Sequence, residues 1–356
     1  MFDVIIIWAG ASGLFCGMLL PKNTKKLILE KTATIGNKVL LSWKWRCNFT
    51  NRITDKTHYL GDCLERLDQF FEKFWPEQMI TFLEDHGIES KEEENGRILL
   101  KSNKSCQLVD FLIEKNQANE TVIQMENEVL DIKQKADGFL IHTTKGDYHT
   151  KKVILASWGC SFPQIGASDF AFSLANSYCL RTKNPQPALC GITVQEQLNA
   201  LSWSSTWAKV QIIDKGKVVY ERSGNVLFTH RGISGPVIFN TSLWIGYHYE
   251  NKAKNLKIRL TIPTDQMTKR LFTYLKAPKG LWNYIMTLSF SALRSRNEAK
   301  AMSGGILLDE VNNTFELKKV PWMFLLGEAL NITGETWGFN LQRCRTSAFC
   351  CGNNIK

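Results

Sequence analysis

The apolar positions near the start of the chain form two dense runs with a break between them. Phe2–Ile7 (FDVIII) is rich in β-branched residues and suits a strand buried on both faces. Trp8-Ala9-Gly10-Ala11-Ser12-Gly13 follows, and LFCGMLL continues from it as a helix to Leu20. Pro21-Lys22-Asn23-Thr24 ends that pattern, and a second run, Leu27-Ile28-Leu29, stops at Glu30. Strand, glycine turn, helix and strand in this order make a dinucleotide-binding unit. Further on, Leu64 to His86 reads as an amphipathic helical region. A three-stranded excursion is expected at Val129–Lys133, Phe139–Thr143 and Tyr148–Thr150, after which Val153–Ala156 returns to the central sheet. Short alternating strands then dominate, as at Lys209–Asp214, Lys217–Glu221 and Leu256–Ile262.

The turn between the first strand and helix carries the chemistry. In the fingerprint G-x-G-x-x-G, here W-A-G-A-S-G, Gly10 lets the backbone approach a pyrophosphate and Gly13 lets helix pack on strand. The helix N-terminus supplies free N–H groups to the phosphate. Glu30 lies where an acidic side chain binds ribose hydroxyls.

Composition narrows the classes. The chain has 356 residues, 44% of them apolar, which is enough for more than one domain. No apolar run approaches the roughly 20 residues of a membrane span, and Asp3 sits where a signal peptide would be basic. A cytoplasmic protein without membrane contact is the expectation. Ten cysteines occur without a Cys-x-x-Cys pair, so neither a disulfide framework nor a metal site is read. The net charge is +10. Lys and Arg are spread along the sequence without an arm or dense run, which favours a basic soluble enzyme over a nucleic-acid partner.

Six further blocks fix a resemblance. They are KTATIGNKVLLSWKWRCNFTN from Lys31, EEENGRILL at 92–100, VILASWGCSFPQIG at 153–166, LFTHRGISGP at 227–236, MSGGI at 302–306 and PWMFLLGEALNITGETWGFNLQ at 321–342. In this order they resemble the BaiN/RdsA-type family of bacterial NAD(P)/FAD-dependent oxidoreductases. The resemblance implies an α/β architecture, a Rossmann-like FAD-binding domain in two parts, residues 1–187 and 299–356. Between them lies a β-rich substrate-side domain, residues 188–298, whose helical part, Gln266 to Arg296, looks shortened. It implies that Gly10, Ser12, Gly13 and Glu30 hold the ADP half of FAD, at the turn opened by Trp8. Lys31, Arg46, Cys47 and Asn48 would line the cofactor, with Cys47 as a small packing residue. Val129 would contact the adenine side, and Ser157, Trp158 and Gly159 would form the turn leaving the inner strand. Gly327 and Glu328 would approach the ribityl phosphate. Gly338, Phe339, Asn340 and Leu341 would open a helix towards the flavin pyrimidine, where its dipole stabilises negative charge. Asn51, Gln164 and His230 are the substrate-side candidates, His230 more readily a hinge residue than a catalytic one. No residue carries the signature of a general acid or base. The implied activity passes hydride from NAD(P)H through the flavin to a small organic substrate, with an RNA-modifying flavoprotein or a remnant that has lost FAD as alternatives. No second dinucleotide fingerprint identifies a nicotinamide site.

Departures from the family pattern are of one kind. Trp8, Trp43, Trp45, Trp158, Trp322 and Trp337 stand where the family has glycine, and Trp75 and Trp203 are candidates for the same class. Six strained backbone sites at about 1–3 kcal/mol each would cost roughly 6–18 kcal/mol, against a whole-protein stability of about 5–15. The expectation is that these tryptophans are glycines written with UGA, a codon that some bacterial lineages read as glycine. Asn331 replaces a family Asp, and GASDFA at 166–171 lacks the glycines of the family's GSTGDG, with Phe170 at its Asp.

Overall fold

The structure, a computed structural model, describes residues 1–356 except 43–45, 157–158, 279 and 356, and the Asn251 side chain. The chain divides into two compact units: Met1–Lys183 with Gly304–Lys356, and Asn184–Ser303.

The first unit is built on a seven-stranded sheet. Strand β1 (Phe2–Ile7) lies at its centre, parallel to β2 (Lys26–Leu29) on one side and to the long strand Gly146–Leu155 on the other. Val4 to Ile7 are fully buried, as a central parallel strand requires of its apolar run. Val122–Gln124 adds parallel to β2, and Met323–Leu325 parallel to the end of the long strand. Helix α1 (Ala11–Leu19) begins immediately after β1. It can do so because Gly13 has no side chain: a Cβ there would lie 2.0 Å from the Trp8 carbonyl oxygen.

The excursion and the return to the sheet, read as two strands from sequence, are one. Gly146–Leu155 is continuous. Its first half pairs antiparallel with Gly138–Thr143 and its second half parallel with Met323–Leu325. Lys151 and Lys152 interrupt the apolar pattern where the partner changes, but the backbone ladder does not break there. The helical region splits into Glu65–Lys73 and Pro76–Glu84. Pro76 restricts Trp75 to extended backbone (φ −86°, ψ 163°) and starts a new helix.

The second unit contains a closed barrel of six strands: Ile192–Val194, Gly232–Ser234, Lys217–Thr229, Ser205–Asp214, Lys257–Pro263 and Asn283–Leu293, in that order around it. Alternate residues (Ala208, Val210 and Ile212, with Ile258, Leu260 and Ile262 opposite) fill its interior. The stretch read as a shortened helical part holds one seven-residue helix, Lys269–Leu275, and the rest is largely the strand Asn283–Leu293. No helix among the described residues is long and apolar enough to cross a membrane.

Candidate cofactor site

The first unit gathers one constellation at the end of β1. Helix α1 opens at Gly10 with no side-chain cap and no acidic residue in its first turn. Its leading N–H groups are therefore available to an anion. Glu30, at the end of β2, is buried beside this turn. Its Oε2 accepts from the Ala9 N–H at 2.9 Å, and its Oε1 accepts from the Thr32 N–H at 2.9 Å and hydroxyl at 2.8 Å. A carboxylate has about four acceptor positions, so this one is oriented and keeps capacity for a hydroxyl ligand.

The C-terminal segment closes on the same place. Gly327 has φ 65°, and a Cβ there would lie 2.5 Å from Ser12 Oγ, so bare backbone is what brings it against α1. Arg343 Nη1 donates to the Gly327 carbonyl at 2.6 Å, and the Gly327 N–H donates to Ser347 Oγ at 3.3 Å. Glu328 forms an ion pair with Lys38 and accepts from the Gly159 N–H at 3.4 Å. Lys38 also donates to Ser161 Oγ at 2.7 Å. Ser12, Gly159, Gly327 and Glu328 are thus brought together from three distant segments. Lys38 and Arg343 belong with them and were missed. Lys38 lies inside the first family block, and its placement between two acceptors was the only signal, visible after folding.

A second group surrounds the N-terminus of the helix Phe339–Gly352. Gly338 has φ 101°, and a Cβ on it would meet the Thr50 carbonyl at 2.5 Å and Asn48 Oδ1 at 2.9 Å. Asn48 is buried, and neither its Oδ1 nor its Nδ2 has a partner. Asn340 clasps Gly334, accepting from its N–H at 2.9 Å and donating to its carbonyl at 2.8 Å. Asn331 donates to Asp62 at 2.8 Å. Leu341 is half-buried.

The other sequence candidates are placed as follows. Asn51 is fully buried, and its amide is engaged: Nδ2 donates to the Asn95 and Trp337 carbonyls, and Oδ1 accepts from the Ile53 N–H. Arg46 pairs with Glu93 and donates to Asn103 Oδ1 at 2.9 Å. Burial pushes the Cys47 thiol up, against the pull of the Arg345 guanidinium. Lys31 reaches Glu128 at 3.7 Å, and Val129 is buried at the start of its strand. Gln164 is exposed in the one-turn helix Pro163–Ile165. His230 is exposed in a turn of the second unit. Ser157, Trp158, Trp43 and Trp45 lie outside the described residues.

These groups fit FAD in backbone and polar chemistry: an uncapped helix N-terminus, an oriented carboxylate, glycine approaches at 13 and 327, and the orphaned amide of Asn48. Two side chains do not fit. Trp8 (φ 79°) and Trp337 (φ 81°) hold left-handed backbone at the two helix entrances. The Trp8 indole is buried edge-on against Phe170, ring centres 5.3 Å apart. The Trp337 indole lies under Arg97 with its Nε1 buried and unpartnered.

The HI0933-like protein Rossmann domain matches residues 2–354. A ribosomal RNA dihydrouridine synthase of Escherichia coli is 26% identical over 99% of this chain and 98% of its own length. That alignment spans 398 positions, more than the 356 residues here, so the relative carries segments this chain lacks. A 3-dehydro-bile acid delta(4,6)-reductase of Clostridium scindens is 24% identical over 98% of this chain and 97% of its own length. Among solved structures, a 3-ketosteroid delta1-dehydrogenase from Sterolibacterium denitrificans superposes with a TM-score of 0.56 at 10% identity, covering 99% of both chains. Together these establish a Rossmann-like FAD-binding fold with an additional β-rich unit.

Proposed function

Because the chain belongs to the HI0933-like Rossmann family of flavin-dependent oxidoreductases, we propose that it reduces a carbon–carbon double bond conjugated to a carbonyl, with NADH or NADPH as electron donor. The observation that carries this reading is full-length similarity to two enzymes whose named reactions share that chemistry. Forming dihydrouridine saturates the uracil double bond next to a ring carbonyl. A delta(4,6)-reductase acting on a 3-dehydro-bile acid works on double bonds adjoining a ketone.

Bound FAD, once reduced by the nicotinamide, would supply the hydride. The chain's own residues supply placement. The α1 N-terminus and Gly10 would take the pyrophosphate, and Glu30 the ribose hydroxyls. Gly327 lets the chain lie close to α1, while Lys38 and Arg343 hold its loop in place. Asn48 would satisfy its buried amide on the cofactor, and the N-terminal end of Phe339–Gly352 would stabilise developing negative charge.

Two substrate forms fit this chemistry: a small conjugated ketone, and a uridine within RNA. The experiment is anaerobic. The protein purified from its natural host is mixed with NADH or NADPH, and the flavin absorbance is followed. A 3-keto-4-ene steroid or a uridine-containing RNA is then added. Bleaching by a nicotinamide and recovery by one substrate are expected. Failure of both nicotinamides removes the donor, and failure of both substrates removes the proposed reaction.

A further inference from the structure

The charge of this protein is not shared between its units. The first unit holds 28 basic and 28 acidic residues and is neutral. The second holds 16 basic and 6 acidic, so the whole excess of +10 sits on its 120 residues. Within that unit, five exposed lysines gather at one end of the barrel. Lys215 and Lys217 form the tip of the hairpin joining Ser205–Asp214 to Lys217–Thr229. Lys252 and Lys254 lie in the connection after the helix Pro236–Tyr249, and Lys257 opens the next strand. Two contacts hold these segments side by side: Ile213 pairs with Lys257 across the barrel wall, and the Tyr249 hydroxyl donates to Asp214 Oδ2 at 3.0 Å. None of the five lysines is ion-paired among the described residues.

We propose that this lysine-rich end of the barrel docks RNA, its ammonium groups neutralising backbone phosphates while the target nucleotide is delivered elsewhere. The inference rests on the uridine form of the proposed substrate. Its physical basis is independent: a neutral unit joined to a strongly basic one is an electrostatic footprint for a polyanion, and a single small ketone has no use for it. A sequence read end to end conceals this, because the acidic residues that balance the chain belong almost wholly to the other unit.

The test compares the full-length chain with its K215Q/K217Q/K252Q/K254Q variant. The probe is a fluorescently labelled ribosomal RNA hairpin with uridines in its loop, titrated across a salt series. Each lost phosphate contact lowers the slope of log affinity against log salt by about 0.7–0.9. The variant should therefore bind roughly tenfold or more weakly at low salt, with a slope shallower by about 2.8–3.6 if all four lysines make contacts. Equal affinity and slope in the two proteins would overturn the proposal. So would tight binding of the parent to phosphatidylglycerol vesicles but not to RNA. RNA that binds as described but never gains dihydrouridine would instead defeat the uridine reading and leave the docking face standing.

The backbone carries a second inference. Eighteen described non-glycine residues have positive φ, and four of them are tryptophans: Trp8 (79°), Trp203 (71°), Trp322 (68°) and Trp337 (81°). Only eight tryptophans are described, so half of them adopt a conformation that is an outlier for a bulky side chain. Trp203 is also 79% exposed, and the Trp322 ring meets the Lys152 ammonium, 5.1 Å from its centre, at the surface, so neither indole is buried in a core that would demand its bulk. Trp244 is the contrast: it is helical and stacks on Tyr220 with ring centres 4.9 Å apart. The geometry assigns glycine to positions 8, 203, 322 and 337 of the working protein and tryptophan to 244, through UGA read as glycine. Reading the gene and the peptide masses of protein from its natural host decides this. UGA at those four codons, UGG at 244 and peptides of glycine mass are expected. UGG at any of the four, or tryptophan mass in the corresponding peptide, would overturn the assignment for that position.

Discussion

Two exposed tryptophans of the second unit separate backbone strain from every other effect of losing an indole. Trp203 is 79% exposed and has φ 71°; Trp282 is 86% exposed and lies outside the left-handed region. Their backbone bonds survive truncation: the residue-203 N–H donates to the Phe228 carbonyl at 2.9 Å, and the residue-282 carbonyl accepts from the Thr264 N–H at 3.0 Å. W203G and W282G each add glycine's conformational entropy, at about 0.5–1 kcal/mol, and each lose a small, similar apolar contact. Only W203G relieves left-handed strain, about 1–3 kcal/mol. W203G should therefore be more stable than W282G by about 1–3 kcal/mol, whatever the sign of either change alone. Both lie in one unit, so urea unfolding followed by far-UV circular dichroism compares them directly. If W203G proves no more stable than W282G, the claim that position 203 is built for glycine fails.

Other outcomes follow from single sites. Arg345 is wholly buried, its Nη1 donates to the Phe49 carbonyl, and beside that it meets the Cys47 thiol, with no carboxylate among these partners. Burial pushes its pKa down, and R345M should raise the urea midpoint, by about 1–4 kcal/mol in stability, since a buried charge without a carboxylate is expensive. In protein carrying glycine at 8 and 337, G13A puts a methyl 2.0 Å from the residue-8 carbonyl, so α1 must shift, and FAD affinity should fall by about tenfold or more in a fluorescence titration. Burial pushes Cys190 up to about 11. At pH 8, iodoacetamide should label exposed Cys106 and Cys179 while Cys190 stays unmodified until the pH nears 11 or the chain unfolds, as peptide mass analysis would show.

The sequence by itself determined the opening strand, α1, the second strand and the acid that ends it, because a buried parallel strand and a phosphate turn each demand local residue types. It also carried the family, since the motif blocks keep their order along the chain. It could not show that Gly146–Leu155 is one strand whose outer edge changes partner along its length, because a change of partner leaves no mark on local periodicity. Nor could it bring Lys38 to Glu328 or Arg343 to Gly327, contacts between residues far apart in sequence. The tertiary structure alone decided that Asn51 is consumed as an internal tie while the amide of Asn48 is left open. It also decided which tryptophans occupy backbone suited to glycine. Side-chain identity is written in the chain, but φ at a turn and the contacts between distant residues exist only once the chain has folded.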